Sequence, residues 1–170
     1  PMSVAALLAE VERLASGAGQ RVGRVCVTGG EPLAQRACLP LLTQLCDRGY
    51  EVSLETSGAL DISGVDPRVE RVMDLKAPGS GEAARNRWEN LDCLNSGDQI
   101  KIVIASRDDY EWAVGVLGEH RLAAKCEVLF SPAAGILQPR DLADWIVADR
   151  LPVRFQLQLH KLLWEEERGR

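Results

Sequence analysis

The sequence predicts an α/β fold, with about six mostly parallel strands covered by helices. Three observations carry that expectation. Short apolar runs rich in β-branched residues alternate with segments of helical period. No hairpin signal joins any two of these runs, so the strands need crossover connections. Hydrophobic residues make up 46% of the 170, enough for a substantial core. No linker, repeat or low-complexity tract breaks the chain, so residues 1–170 are expected to form one domain.

Residues 4–15 place Val4, Leu7, Leu8, Val11 and Leu14 on one face, which predicts an amphipathic opening helix. Ser3 suits its N-cap, and Ser16-Gly17-Ala18-Gly19 ends it. Val22–Val27 is a short apolar strand. A helix follows over 36–48, with Pro40 near its first turn and Gly49 closing it. Glu51–Glu55 is the next strand and 59–68 an irregular connection. Glu70–Leu75 is a strand leading into Lys76-Ala77-Pro78-Gly79-Ser80-Gly81. Residues 82–98 are polar and weakly periodic, enough for one or two short helical turns. Gln99–Ala105 is a strand, β-branched at Ile100, Ile102, Val103 and Ile104. Asp108–Leu117 has helical spacing, Glu127–Phe130 is a strand, and Ser131-Pro132-Ala133-Ala134-Gly135 is a loop. Pro139 opens a helix over 139–149, and Val153–Leu159 is the last strand.

The net charge of −5 is spread in both signs along the chain, without a basic block or stripe, which argues against a nucleic-acid partner. No apolar run approaches the roughly 20 residues that span a membrane. The first residues lack a basic n-region and read as a helix, not as a signal peptide. The five cysteines (Cys26, Cys38, Cys46, Cys93 and Cys126) are odd in number and widely spaced. Cys26 and Cys126 fall in strands expected to be buried. This pattern suits a reducing, cytoplasmic setting.

In parallel α/β folds, ligands collect at the carboxyl ends of strands. The unusual residues of this chain recur there. Thr28-Gly29-Gly30-Glu31-Pro32 ends one strand, Glu55-Thr56-Ser57-Gly58 the next and Asp74-Leu75-Lys76 the third. Ser131-Pro132 ends a later one, and Gln156, Gln158 and His160 alternate along the last. Two glycines admit backbone close to a ligand, and a carboxylate beside them accepts from an amine or cation. Each cluster also has a plain reading: a tight turn at Gly29-Gly30, a solvated turn at Ser57-Gly58, a surface lysine at Lys76. Gln156, Gln158 and His160 share a strand face that suits a heterocycle or forms a structural polar stripe. His120, late in a charged helix, is expected to face solvent.

The chain resembles the 7-carboxy-7-deazaguanine synthases, radical S-adenosylmethionine enzymes of 7-deazapurine (queuosine) biosynthesis. The likeness runs from about residue 22 to the end. Thr28-Gly29-Gly30-Glu31-Pro32-Leu33, Glu55-Thr56-Ser57-Gly58, Asp74 to Gly81, Asp98-Gln99-Ile100-Lys101, Ser131-Pro132 and Arg154 to Lys161 carry it. The resemblance implies a partial (β/α) barrel of the radical S-adenosylmethionine type. It implies a lyase that converts 6-carboxy-5,6,7,8-tetrahydropterin to 7-carboxy-7-deazaguanine with loss of ammonia. S-adenosyl-L-methionine, a 4Fe-4S iron–sulfur cluster and Mg2+ are the implied cofactors. A reduced electron donor such as flavodoxin and a homodimer are the implied partners. By the same resemblance, Thr28 is a pterin contact, and Gly30 and Glu31 contact the cofactor, with Glu31 at the cofactor's amino group. Ser57 and Glu55 reach its ribose or carboxylate. Asp74, Leu75 and Lys76, with Ser131, Pro132, Ala133 and Ala134, line the cofactor site. Gln158 and His160 contact the pterin. No side chain is singled out as a catalytic base.

The family holds its cluster through a C-x-x-x-C-x-x-C loop after the first strand, because three thiolates leave one iron open. That spacing does not occur here, and the segment is expected to precede residue 1. The chain is therefore expected to be amino-terminally truncated, lacking the first strand and the cluster and magnesium ligands, with an open edge on the strand at 22–27. Two alternatives stand beside the synthase: a glycyl-radical-enzyme activase sharing Gly-Gly-Glu-Pro, and a degenerate domain that binds a nucleoside without catalysis.

Overall fold

The computed structural model describes residues 2–17, 20–159 and 163. The chain divides into two compact units, residues 1–72 with 87–93, and residues 73–86 with 94–170.

The first unit opens with α1 (Val4–Ala15), whose Ser3 hydroxyl accepts from the Ala6 N–H as expected of an N-cap. Its buried positions are Leu8 and Ala15, while Leu14 is 64% exposed, so the apolar face is narrower than its spacing suggests. Two short strands follow, β1 (Ser16–Gly17) and β2 (Gln20–Arg21), paired antiparallel. The sequence pattern marks this stretch only as a helix end. β3 (Arg24–Val27) begins two residues later than expected. Next come α2 (Cys38–Asp47) and β4 (Glu51–Thr56), which pairs parallel to β3 with Cys26 beside Ser53 and Val27 beside Leu54. Leu42 and Leu45 of α2 pack with Val52 and Leu54 of β4 to form this unit's core.

The opposite face of β3 and β4 is polar. It carries Arg24 ion-paired with Glu51 at 2.8 Å, and also Cys26 and Ser53. Cys26 is exposed there, which corrects its expected burial: its neighbours on that face are charged and polar, with no helix residue over it.

β5 (Glu70–Asp74) ends in the second unit, which continues with β6 (Gln99–Ile104), α3 (Arg107–Glu119), α4 (Leu122–Lys125), β7 (Glu127–Pro132), α5 (Pro139–Asp149) and β8 (Arg154–Phe155). In the first unit β3 and β4 pair parallel, and in the second β6, β7 and β8 pair parallel in chain order. The α/β class read from the sequence is the class found. Ile100, Ile102 and Ile104 alternate inward beside Val128 and Phe130, under Tyr110, Ala113 and Leu117 of α3 and Leu142 and Ile146 of α5. The Tyr110 hydroxyl lies 2.6 Å from Asp149 Oδ2 and 3.0 Å from the Trp145 carbonyl, tying α3 to α5. His120 caps α3 half-buried, where solvent exposure was expected.

Two expectations near the end of the chain are corrected. Ser131 and Pro132 belong to β7 and not to a loop. The last strand is only Arg154–Phe155, where 153–159 was expected. The ladder gives the reason. Gln156 N–H still donates to the Phe130 carbonyl at 2.9 Å, but the next bond would need an N–H at residue 132, which is proline.

Candidate functional site

In the first unit, Glu31 is held where two strands end. β3 stops at Val27, and Gly29 and Gly30 take φ of 99° and 56°, a turn that β-carbon-bearing residues resist. Pro32 then opens a short 3-10 turn with Glu31 as its cap. The Glu31 carboxylate accepts four donors. Leu33 N–H lies at 3.1 Å, Thr56 hydroxyl at 2.9 Å, Ser57 N–H at 2.8 Å and Ser57 hydroxyl at 2.5 Å. Burial alone would raise its pKa. The hydrogen bonds from Ser57, Thr56 and Leu33 outweigh that and hold it below the ordinary carboxyl value. Glu31 is therefore an anion at neutral pH, fixed in place before any ligand arrives.

Thr56 and Asn90 support this arrangement; Thr56 lies in the Glu55–Gly58 motif but with no role assigned to it there, and Asn90 belongs to no motif of the sequence. Thr56 is buried and bridges Glu31 to the Gly58 N–H, which it accepts at 3.2 Å. Asn90, fully buried, donates to the carbonyls of Gly58 and Leu60 and accepts from the Ile62 N–H at 3.3 Å. It fastens the irregular stretch that follows Ser57. A signal was available at Thr56, since alternation places it on the inward face of β4 with Val52 and Leu54. Asn90 sits in a polar stretch with no such signal.

Of the other residues expected here, Ser57 commits its hydroxyl to Glu31. Thr28 donates to Glu55 Oε2 at 3.1 Å, and both are exposed. Gly30 is also exposed, so its backbone is open to approach. Cys38 is buried near Glu31. Burial, then the Glu31 charge, pushes its thiol pKa up. A cavity of about 550 Å³ lies among Arg24, Cys26, Glu51, Ser53, Arg68 and Glu70, mostly at the strands' opposite ends. Its charges are paired, Arg24 with Glu51 and Arg68 with Asp47 and Asp66, so it offers no free chemistry.

In the second unit, Asp74 and Lys76 leave β5 as an ion pair, Nζ to Oδ2 at 2.7 Å, with Leu75 buried between them. Asn86 clasps the Lys76 backbone from both sides, at 2.9 Å each way, in place of a neighbouring strand. Asp109 holds the loop beyond, accepting from Gly79 N–H at 2.7 Å and Ala105 N–H at 3.1 Å. A β-carbon at Gly79 would lie 2.5 Å from Asp109 Oδ2, which is why glycine stands there. The sequence did carry a trace of Asp109. Ser106-x-x-Asp109 is a capping-box spacing, and the Ser106 hydroxyl accepts from Asp109 N–H.

Ser131 is fully buried at the end of β7, and its hydroxyl has no partner among the described residues. Asp74 Oδ1 is likewise buried without one. Just past them, Pro132, Ala134, Leu137, Pro139, Leu157 and Gln158 line a cavity of about 210 Å³. So Pro132, Ala134 and Gln158, expected to serve cofactor and pterin separately, share one wall. Ala133 is half-buried and its N–H donates to Ile104 O, so its backbone nitrogen is already used. Gln156, Gln158 and His160 were expected to share one strand face. Gln156 and Gln158 lie beyond β8, so no strand holds that stripe, and His160 lies outside the described residues.

No family model matches the chain. A 7-carboxy-7-deazaguanine synthase from Koribacter versatilis is 41% identical over 180 residues, covering 98% of this chain and 77% of its own length. The chain belongs to the 7-carboxy-7-deazaguanine synthase family. A synthase of the same name from Chlorobaculum tepidum is 48% identical over 144 residues; 83% of this chain is matched, spanning 66% of that relative. The crystal structure of QueE from Escherichia coli shares the fold, with a TM-score of 0.71 and 23% identity over 92% of this chain and 64% of that one. This membership sets aside the activase alternative.

Proposed function

We propose that this chain carries cofactor- and pterin-binding residues of a 7-carboxy-7-deazaguanine synthase, a radical S-adenosylmethionine lyase serving queuosine biosynthesis. The reaction would convert 6-carboxy-5,6,7,8-tetrahydropterin to 7-carboxy-7-deazaguanine with release of ammonia. Family membership supports the activity, and the Glu31 carboxylate is the observation that carries the site. An anion fixed by four donors, beside a glycine turn that admits backbone contact, fits the ammonium of an amino acid moiety. S-adenosylmethionine would be held by its ammonium on Glu31 and, once cleaved by one electron from a reduced donor, would supply the radical that abstracts hydrogen. The protein's task is placement: Glu31 orients the ammonium, and the exposed Thr28–Glu55 pair offers a donor and an acceptor to a pterin edge.

The described residues do not fit an iron–sulfur cluster. Cys26 lies on β3, Cys38 and Cys46 lie eight residues apart at opposite ends of α2, and Cys93 and Cys126 lie elsewhere along the chain. Burial, as the leading cause, raises the thiol pKa of Cys38 and Cys46, and pushes Cys126 up to about 11, the reverse of what a thiolate ligand needs. No cluster of three His, Cys, Asp or Glu residues that would hold a metal ion occurs among the described residues. Among those residues no helix is long and apolar enough to cross a membrane. The unpaired cysteines favour a cytoplasmic setting, where a homodimer and a reduced donor of the flavodoxin type suit the family chemistry.

Titrating S-adenosylmethionine into wild type and Glu31→Gln tests this reading. The variant should bind roughly tenfold more weakly or worse, because a charge-assisted bond becomes a neutral one. Equal affinities would remove Glu31 from the role. Failure of the wild-type protein to bind either S-adenosylmethionine or the carboxypterin would remove the function itself.

A further inference from the structure

The Leu75 N–H donates to the Lys101 carbonyl at 2.8 Å, which sets Asp74 beside Lys101 in a parallel register. Lys101 in turn sits beside Leu129, and Val103 beside Ser131. Side chains alternate along a strand, so Asp74, Lys101, Val103, Leu129 and Ser131 share one face. The other face carries the buried Met73, Ile100, Ile102 and Phe130. Lys101 is thus a half-buried cation in the middle of a strand. It has no ion-pair or hydrogen-bond partner among the described residues, and Asp74, the nearest carboxylate in register, is already held by Lys76. Ser131, its diagonal neighbour, offers a hydroxyl that is fully buried and unpartnered. Diagonal positions on a sheet face are roughly 7–8 Å apart, within reach of a lysine stem plus one ligand group.

Half-buried lysines in mid-strand normally find a carboxylate, and buried hydroxyls normally find a partner. Of the unmatched groups on this face, Lys101 and the Ser131 hydroxyl both lack an acceptor, and a single acceptor group answers both; Asp74 Oδ1 lacks a donor instead. We propose that Lys101 and the Ser131 hydroxyl together receive a carboxylate of the bound ligand. The face has one uncompensated positive charge once Asp74 and Lys76 cancel, and the hydroxyl adds a directed donor. This rests on the function proposed above, in which both ligands carry a carboxylate: the methionine end of S-adenosylmethionine and the 6-carboxyl of the pterin.

The test is calorimetric titration of the full-length protein and its Lys101→Gln and Lys101→Arg variants. The probes are S-adenosylmethionine, its decarboxylated form, 6-carboxytetrahydropterin and tetrahydropterin. Lys101→Gln should lose on the order of tenfold in affinity for one carboxylated probe and nothing for its decarboxylated twin, with Lys101→Arg recovering most of the loss. Loss confined to S-adenosylmethionine assigns the methionine carboxylate, and loss confined to the carboxypterin assigns the pterin. Unchanged affinities, or equal loss for carboxylated and decarboxylated probes, overturn the assignment while leaving the function standing. Wild-type protein that binds none of the four overturns both.

Discussion

The two units end their strands in opposite electrostatic conditions. In the first, Leu33, Thr56 and Ser57 hold the half-buried Glu31 carboxylate in place. In the second, Ser131 and one oxygen of Asp74 are buried without partners, and Lys101 has no counter-charge among the described residues. A satisfied network fixes a group in advance and needs no ligand to be stable. Buried polar groups left unmatched cost about 1–3 kcal/mol each, a strain that a ligand with the right atoms relieves. The first arrangement is a finished acceptor and the second an unfinished one.

The largest expected effect asks whether the second unit is merely loose. Asp109 argues that it is not, since it is 2% exposed and satisfies two backbone N–H groups behind the Lys76 loop. Asp109→Ala should cost about 3 kcal/mol in a urea denaturation, because both N–H groups lose their acceptor inside the protein. Asp109→Asn should cost less, since the amide oxygen still accepts one bond. A change below about 0.5 kcal/mol for the alanine variant would mean the loop is not pinned, and the unmatched groups around it would then reflect slack and not a ligand site.

A smaller effect probes the first unit. Thr56→Val keeps the shape and removes one hydroxyl from Glu31, and should cost about 1.5 kcal/mol at neutral pH, the low end for a bond to a charged group that is partly open to solvent. The pH dependence has a definite sign. The folded pKa of Glu31 lies below its ordinary 4.5, so its contribution is present above that value and is lost as pH falls through the folded pKa. The stability gap between wild type and Thr56→Val should therefore narrow as pH drops from 7 toward 3, and Glu31→Gln should flatten the wild-type slope over that range. A gap that stays constant with pH would mean that Thr56 acts through packing alone.

Much of this was legible in the residues. The strand-to-turn passages at Thr28–Glu31 and Glu55–Gly58 stood out because glycines and acids interrupt apolar runs, and the structure joins them through Glu31. Asp74-Leu75-Lys76 stood out for the same reason. What could not be read was which donors a given acceptor would choose. Ser57 looked free for a ligand and is instead bound to Glu31; Asn86 and Asn90 looked like loop filler and clasp backbone from ten or more residues away. Such partners are set by tertiary contact and leave no period in the sequence. The early stop of the last strand was readable in principle, since Pro132 cannot donate. Seeing it required the register, which fixes the side toward which the missing N–H faces. Lys101 went unassigned because alternation shows that it leaves the core face but not that it lacks a counter-charge.

The smallest effect has the most distinctive sign. Removing a satisfied buried hydroxyl destabilises, whereas removing an unsatisfied one relieves its desolvation penalty. Ser131→Ala should therefore stabilise the unliganded protein by up to about 1 kcal/mol, a rise of roughly 2–4 °C in the calorimetric midpoint for a chain of this size. The same substitution should weaken binding of the carboxylated ligand, so stability and affinity move in opposite directions at one residue. Thr56→Val should show the contrary pattern of lost stability. A lower midpoint for Ser131→Ala would mean that the hydroxyl already has a partner, an internal water included, and the contrast between the two strand ends would fail at the residue on which it most depends.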